Sequence, residues 1–317
     1  MKRKSKLAVV AVGGNSLILD RSRMTIPDQY FAATLTTHHI VDMIEEGWDV
    51  MVTHGNGPQV GFILRRSEIA IKELHPVPMD YAGADIQGAV GYMFQMAFRN
   101  EFRKRGLDRK AMTVVTEVLV DRNDPAFSNP TKPIGSYMDE QKAAELARQW
   151  NWVVKEDAGR GWRRVAPSPL PKEILDLDAI KAMLKEGFIV ITCGGGGIPV
   201  VRDEEGNISG VEAVIDKDLT SSLLARNVNA DMLLISTSVE KVALNFNKPD
   251  QVWLDRVSLG EARRYIEEGH FSRGSMEPKV RALIEFLENG GRRGLITNPP
   301  NLKRALQGET GTLFVPG

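Results

Sequence analysis

Short apolar runs alternate with amphipathic stretches along almost the whole chain. "KLAVVAVGG" (6–14), "DVMVTHGNG" (49–57), "AMTVVTEVLVD" (111–121), "FIVITCGGGG" (188–197), "DMLLISTSV" (231–239), "KVALNF" (241–246) and "RGLITN" (293–298) read as strands. Between them, "DQYFAATLTTHHIVDMIEEGW" (28–48), "PQVGFILRRSEIAIKEL" (58–74), "TSSLLARNVN" (220–229) and "PKVRALIEFLENGG" (278–291) read as helices. Runs that stay apolar, instead of alternating with polar residues, are strands covered on both faces. They predict a largely parallel sheet between helical layers. In such sheets ligands gather beyond the carboxyl ends of the strands.

One segment breaks the rhythm. Asp121 to Ala166 is rich in Pro, Asn and Asp and carries one short helical stretch. It predicts an insertion, either a mobile lid or decoration.

Three predicted strands end in glycine: "VGGNS" (12–16), "HGNGPQVG" (54–61) and "CGGGGIPV" (193–200). Glycines bury no side chain and cost backbone entropy, so such ends need a reason beyond packing. Converging backbone N–H groups at a strand-to-helix turn make an anion nest, and a following helix adds its positive end. Three such turns on neighbouring strands point to phosphate. No G-x-x-x-x-G-K-[ST] occurs, and the protein-kinase signatures are missing. "GNGPQVG" only approximates the dinucleotide fingerprint, which leaves a dehydrogenase as a weaker alternative.

Three lysines sit where isolated structure does not want them. Lys217, between Asp216 and Asp218, and Lys279, just after Pro278, both fall at predicted helix starts, where a cation opposes the helix dipole. Anionic oxygens arriving there would account for both. Lys132 lies between two prolines of the insertion in "NPTKPIG". It is either a solvated loop lysine or a charge that a lid carries to the site. His270 reads as structural, and Cys193 as a small buried hydrophobe. Trp162, Arg163 and Arg164 either clamp an anion or support the insertion.

Composition narrows the class. The 317 residues hold 41 Lys+Arg and 41 Asp+Glu, a formal net charge of zero, which argues against a general nucleic-acid binder. No apolar run has the length of a membrane span. The single cysteine excludes an intrachain disulfide and a Cys-based zinc site. A cytoplasmic protein is expected.

Together "GGNS", "THGNGPQVG", "DPAFSNPTKPIG", "GRGWRRV", "CGGGGIPV", "GVEAVIDKDL" and "GSMEPKV" resemble the carbamate kinase family, in its order and over essentially the whole chain. The resemblance implies a three-layer amino-acid-kinase fold, α/β with an open, mainly parallel central sheet. It implies one domain over 1–317, a protruding inserted lid at 121–166, and a homodimer. The implied reaction is ATP + carbamate ⇌ ADP + carbamoyl phosphate with Mg²⁺. Many relatives of wider kinship carry a lysine just before the first glycine pair. Here Val10, Ala11 and Val12 stand there, as in carbamate kinases, which look to an insertion lysine matched by Lys132.

By the same resemblance Lys132, Lys217 and Lys279 offset charge on the transferred phosphoryl, and Asp218 orients the lysines, with Asp216 as its alternative. Backbone of Gly13, Gly14, Asn15, Gly55, Asn56 and Gly57 would hold carbamate and phosphoryl, mainly in the N-terminal half. Gly195, Gly196, Asp216, Ser238, Ser275 and Met276 would meet the nucleotide, mainly within 190–317. No protein metal ligand is expected. Ser238 replaces an Asp common in the superfamily, and Ser16 an Ala common in the family. Rival readings are a same-fold kinase for another small carboxylate, and a non-catalytic sensor of carbamoyl phosphate or nucleotide.

Overall fold

The run Lys6–Val12 lies at the middle of an eight-stranded sheet, and its side chains divide between two cores. Ala8, Val10 and Val12 pack on one face and Leu7, Val9 and Ala11 on the other, so no position of the strand's interior is free to be polar. The computed structural model describes residues 5–18, 22–157, 159, 161–272 and 274–317, except for the side chains of Asn15 and Ser16.

The strand order is Arg256–Ser258, Thr312–Val315, Arg293–Thr297, Met232–Ser236, Lys6–Val12, Trp48–His54, Ile189–Ile191, Ala111–Thr113. The last six run parallel, and the first two run against them. Helices Ile26–Glu45, Gly57–Ala70 and Met79–Arg105 bury their apolar faces on one side. Helices Leu177–Lys185, Lys217–Asn227, Leu259–Glu267 and Met276–Glu288 cover the other. The first of these helices starts where local chemistry says it should: Thr25 and Asp28 form a reciprocal capping box and Pro27 fills the first turn.

Two expectations need correction. "AMTVVTEVLVD" is two strands, not one. Ala111–Thr113 edges the central sheet, while Glu117–Val120 joins a second sheet with Ile208–Gly210, Ile198–Arg202 and Pro171–Ile174. At the break the buried Gln87 serves Thr116 as a surrogate strand: Thr116 N donates to its Oε1 at 2.6 Å, and its Nε2 donates to Thr116 O at 3.1 Å. Gln87 belongs to the longest helix, Met79–Arg105, which has no counterpart among the elements predicted from the pattern. Its three glycines weaken the helical signal, yet Gly91 is what lets the helix lie against Thr113, whose side chain fills the space of any Cβ. "KVALNF" also leaves the central sheet. Its strand Val242–Leu244 forms a hairpin with Val252–Leu254.

Within 121–166 the chain builds an antiparallel sheet of Lys132–Met138, Trp162–Ala166 and Val154–Glu156, with helix Glu140–Trp150. Ile134 and Ala166 anchor its base in the core on the side of helix Gly57–Ala70.

Candidate active site

Four adjacent parallel strands end in one row. Ser236, Val12 and His54 are register partners, and Ile191 follows beside Val52. The three glycine turns and the Thr237–Ser238 turn therefore line one edge, around a cleft of about 290 Å³.

The first two turns touch backbone to backbone. A Cβ on Gly55 would stand 2.5 Å from Gly14 N and 3.0 Å from Gly14 Cα, so only glycine allows this approach. Two of the six expected backbone donors are spent inside the fold: Gly13 N donates to Ser236 O at 3.0 Å and Gly55 N to Val12 O at 2.8 Å. Both extend the sheet ladder by one bond. Among the described residues the N–H groups of Gly14, Asn56 and Gly57 have no intramolecular acceptor, and all three residues line the cleft. Gly57 opens a fourteen-residue helix, which aims its positive end the same way. The side chains of Asn15 and Ser16 lie outside the described residues.

The turn Cys193–Gly197 reads differently in space. Cys193 and Gly195–Gly197 all have positive φ, which three glycines adopt without strain. The four glycines are buried, and Cβ atoms on them would strike His54, Asn56, Ile215 and Val118 in turn. Gly195 lines the cleft; Gly196 lies beneath Ile215 and does not. The bare backbone here serves mainly the close stacking of protein on protein.

The charged residues converge. Asp216 caps helix Lys217–Asn227, accepting from Asp218 N at 2.9 Å, and Asp218 is the acid of its first turn. Asp218 is thereby turned inward, its side chain only 4% exposed, between Lys217 Nζ at 2.5 Å and Lys279 Nζ at 3.1 Å. Burial works against its charge, but the two ammonium groups win and hold its carboxyl below the usual range. Burial, reinforced by Lys279 and opposed by Asp218, lowers the Lys217 ammonium. Lys217 Nζ also reaches Ala11 O at 3.4 Å, so its charge stands at the carboxyl end of the first strand, where Val10, Ala11 and Val12 supply none. Lys132 arrives from the insertion and donates to Asp216 Oδ2 at 3.1 Å. Three cations thus meet two carboxylates at the cleft.

Lys279 is the fourth residue of helix Met276–Glu288, whose start, with Gly274 and Ser275, forms the opposite wall. There Thr237, Ser238 and Ser275 also border a second cavity of about 430 Å³, which is floored by Val239, Ala243, Phe246, Phe271 and Met276. Reading the sequence missed Thr237, Val214 and Pro58 in the cleft and Phe246 and Val239 in this cavity. Pro58 and Val214 lie inside the quoted motifs "HGNGPQVG" and "GVEAVIDKDL", and for Phe246 and Val239 the available signal was the hairpin after Ser238, read as a plain strand. His270 Nδ1 donates to Asn245 Oδ1 at 2.9 Å, and the residue lines the same cavity.

His54, under the second turn, is fully buried, and burial pushes its imidazole down to about 4, so it is neutral. Its Nδ1 donates to Gly55 O at 3.1 Å, fixing that peptide.

A parallel sheet with phosphate-sized turns and lysines at its carboxyl edge defines a phosphoryl-transfer class. The sequence model of the amino acid kinase family matches residues 6–298, and the chain belongs to that family. It is 50% identical over 313 residues to the carbamate kinase-like protein YahI of Escherichia coli (strain K12), covering 98% of this chain and 99% of that one. It is 48% identical over 311 residues to the carbamate kinase of Pyrococcus horikoshii, covering 97% and 98%. The solved carbamate kinase from Giardia lamblia bound to AMP-PNP superposes with a TM-score of 0.94 at 40% identity, over 99% of both chains.

Proposed function

We propose that the protein is a carbamate kinase, transferring a phosphoryl group reversibly between ATP and carbamate and working chiefly to make ATP from carbamoyl phosphate. The observation that carries this reading is the convergence of Lys132, Lys217 and Lys279 on one cleft beside the free N–H groups of Gly14, Asn56 and Gly57. Phosphoryl transfer asks the protein for positioning and charge, not for a covalent intermediate. Carbamate is already an anion and needs no general base. The backbone donors hold the carbamate and the phosphoryl in line. The lysines offset charge spreading over the phosphoryl oxygens, preorganised by Asp218 and Asp216.

Nucleotide phosphates enter along Ser238, Ser275 and the start of helix Met276–Glu288, with the base in the cavity of Phe246 and Met276. Mg²⁺ fits this site as a partner of the nucleotide, held by phosphate oxygens and water. Both Asp218 oxygens face lysines, and Asp216 is divided between its helix and Lys132, so the cleft offers no carboxylate cage. The insertion 121–166 acts as a lid that brings Lys132. A cytoplasmic location suits a nucleotide substrate. Phe31 and Leu35, one turn apart on helix Ile26–Glu45, and Tyr92 on the adjoining helix Met79–Arg105 are exposed apolar side chains, which suits a homodimer.

The test is ATP formation from ADP and carbamoyl phosphate with Mg²⁺, beside acetyl phosphate as control donor. Fast and selective use of carbamoyl phosphate is expected. Binding without turnover would make the protein a sensor, and preference for another acyl phosphate would change the substrate.

A further inference from the structure

The cleft opens in two directions. One leads to the cavity of Phe246 and Met276. In the other, Asn56, Gly57 and Lys132 also line a groove of about 560 Å³ between helix Gly57–Ala70 and strand Lys132–Met138. Among the described residues the charge of this groove is one-sided: Arg65, Lys132 and Arg163 line it, and no carboxylate does. Glu68 and Asp157 pair with Arg65 at 3.1 Å and with Arg163 at 3.5 Å, but neither belongs to the lining. Arg163 is held in place, donating through Nη2 to Gly135 O at 3.0 Å with its guanidinium 5.1 Å over the Tyr137 ring. Its buried Nε has no hydrogen-bond partner.

We propose that this groove is a separate entrance for the small carboxyl substrate, carbamate or the carbamoyl phosphate dianion, which reaches Lys132 past Arg65 and Arg163. The inference rests on the kinase reading and adds a route to it. Two anions must meet end to end at the transferred phosphoryl. A bound nucleotide fills the Ser238–Ser275 side and closes it, so the second anion needs its own path. A groove lined by cations alone concentrates anions and speeds their arrival. The Arg163 guanidinium adds a planar fork suited to carboxylate or phosphate. Lys132 is shared by groove and cleft, and its side chain, 40% exposed, can exchange Asp216 for the incoming anion.

Isotope trapping tests the route. Enzyme preloaded with radiolabelled ADP and Mg²⁺ is mixed with carbamoyl phosphate and excess unlabelled ADP, and label in ATP is counted. Wild type is expected to trap label, because carbamoyl phosphate enters past bound ADP. Arg65→Gln and Arg163→Gln should each raise the carbamoyl phosphate concentration for half-trapping by roughly three- to tenfold at low salt, with turnover at saturation unchanged. At about 1 M salt, where screening acts within ~3 Å, the variants should converge on wild type. Active enzyme that traps no label overturns the separate entrance and leaves the kinase reading standing. Unchanged half-trapping in both variants overturns the role of the arginines. A wild type that makes no ATP overturns both readings. Arg65 is an exposed helix residue, so its variant reports on charge even if Arg163→Gln disturbs the insertion.

Discussion

The two ion-pair groups at the cleft are built to opposite specifications. Lys217, Asp218 and Lys279 come from two helices packed on the same face of the sheet, and their side chains are nearly all shielded from water. Lys132 and Asp216 join an insertion to a helix cap, and the pair is only partly buried, with the lysine side chain 40% exposed. A buried carboxylate between two ammonium groups is locked, because separating it from either leaves an uncompensated charge in a poor dielectric. An exposed pair is worth little and is easily exchanged. The fixed group can hold the phosphoryl in place, while the more open one can come and go with substrate.

Stability separates the groups most sharply. Asp218→Ala leaves Lys217 and Lys279 facing each other unpaired and should cost about 3–5 kcal/mol, read from urea unfolding. If the loss is under about 1 kcal/mol, the triad is not a locked unit. Lys217→Met keeps the volume and removes one preorganised cation, so turnover should fall roughly 10²–10³-fold with ADP affinity little changed. Near-normal turnover would remove Lys217 from the chemistry.

His54, beneath the same turn, offers a pH handle. Its imidazole titrates near 6.5 when unfolded and at about 4 when folded. Between those values the unfolded chain binds the proton and the folded chain does not. The stability it protects is therefore complete above about pH 6.5 and drains as pH falls toward 4, on the order of 3 kcal/mol. His54→Asn should flatten that part of the stability–pH curve, and an unchanged slope would show that His54 is not its source. Asp216→Ala should cost about 1 kcal/mol as a lost helix cap. Lys132→Ala, the smallest, should move stability by less than about 1 kcal/mol while turnover still drops about 10²-fold. A large loss of stability in Lys132→Ala would erase the contrast between the groups.

Strands buried on both faces leave an unmistakable record in the chain, because every position of Lys6–Val12 past the first must be apolar. Glycine at strand ends and lysine at helix starts are equally legible, since each violates a local preference that only a ligand or a close contact can offset. What local preference cannot report is which partner satisfies each group. Gly13 and Gly55 look like anion donors until the sheet ladder takes their N–H groups, and Gly196 looks open until Ile215 covers it. Asp216 and Asp218 are two residues apart and chemically identical, yet the helix start makes one a cap and turns the other between two lysines. The break at Thr116 depends on Gln87, 29 residues away, and the cationic groove on an insertion folding back over helix Gly57–Ala70. The sequence alone determined the layers and the edge where the glycine turns and the lysines gather. The tertiary structure decided which donors stay free and which charges pair, because those outcomes depend on distances between segments far apart in the chain.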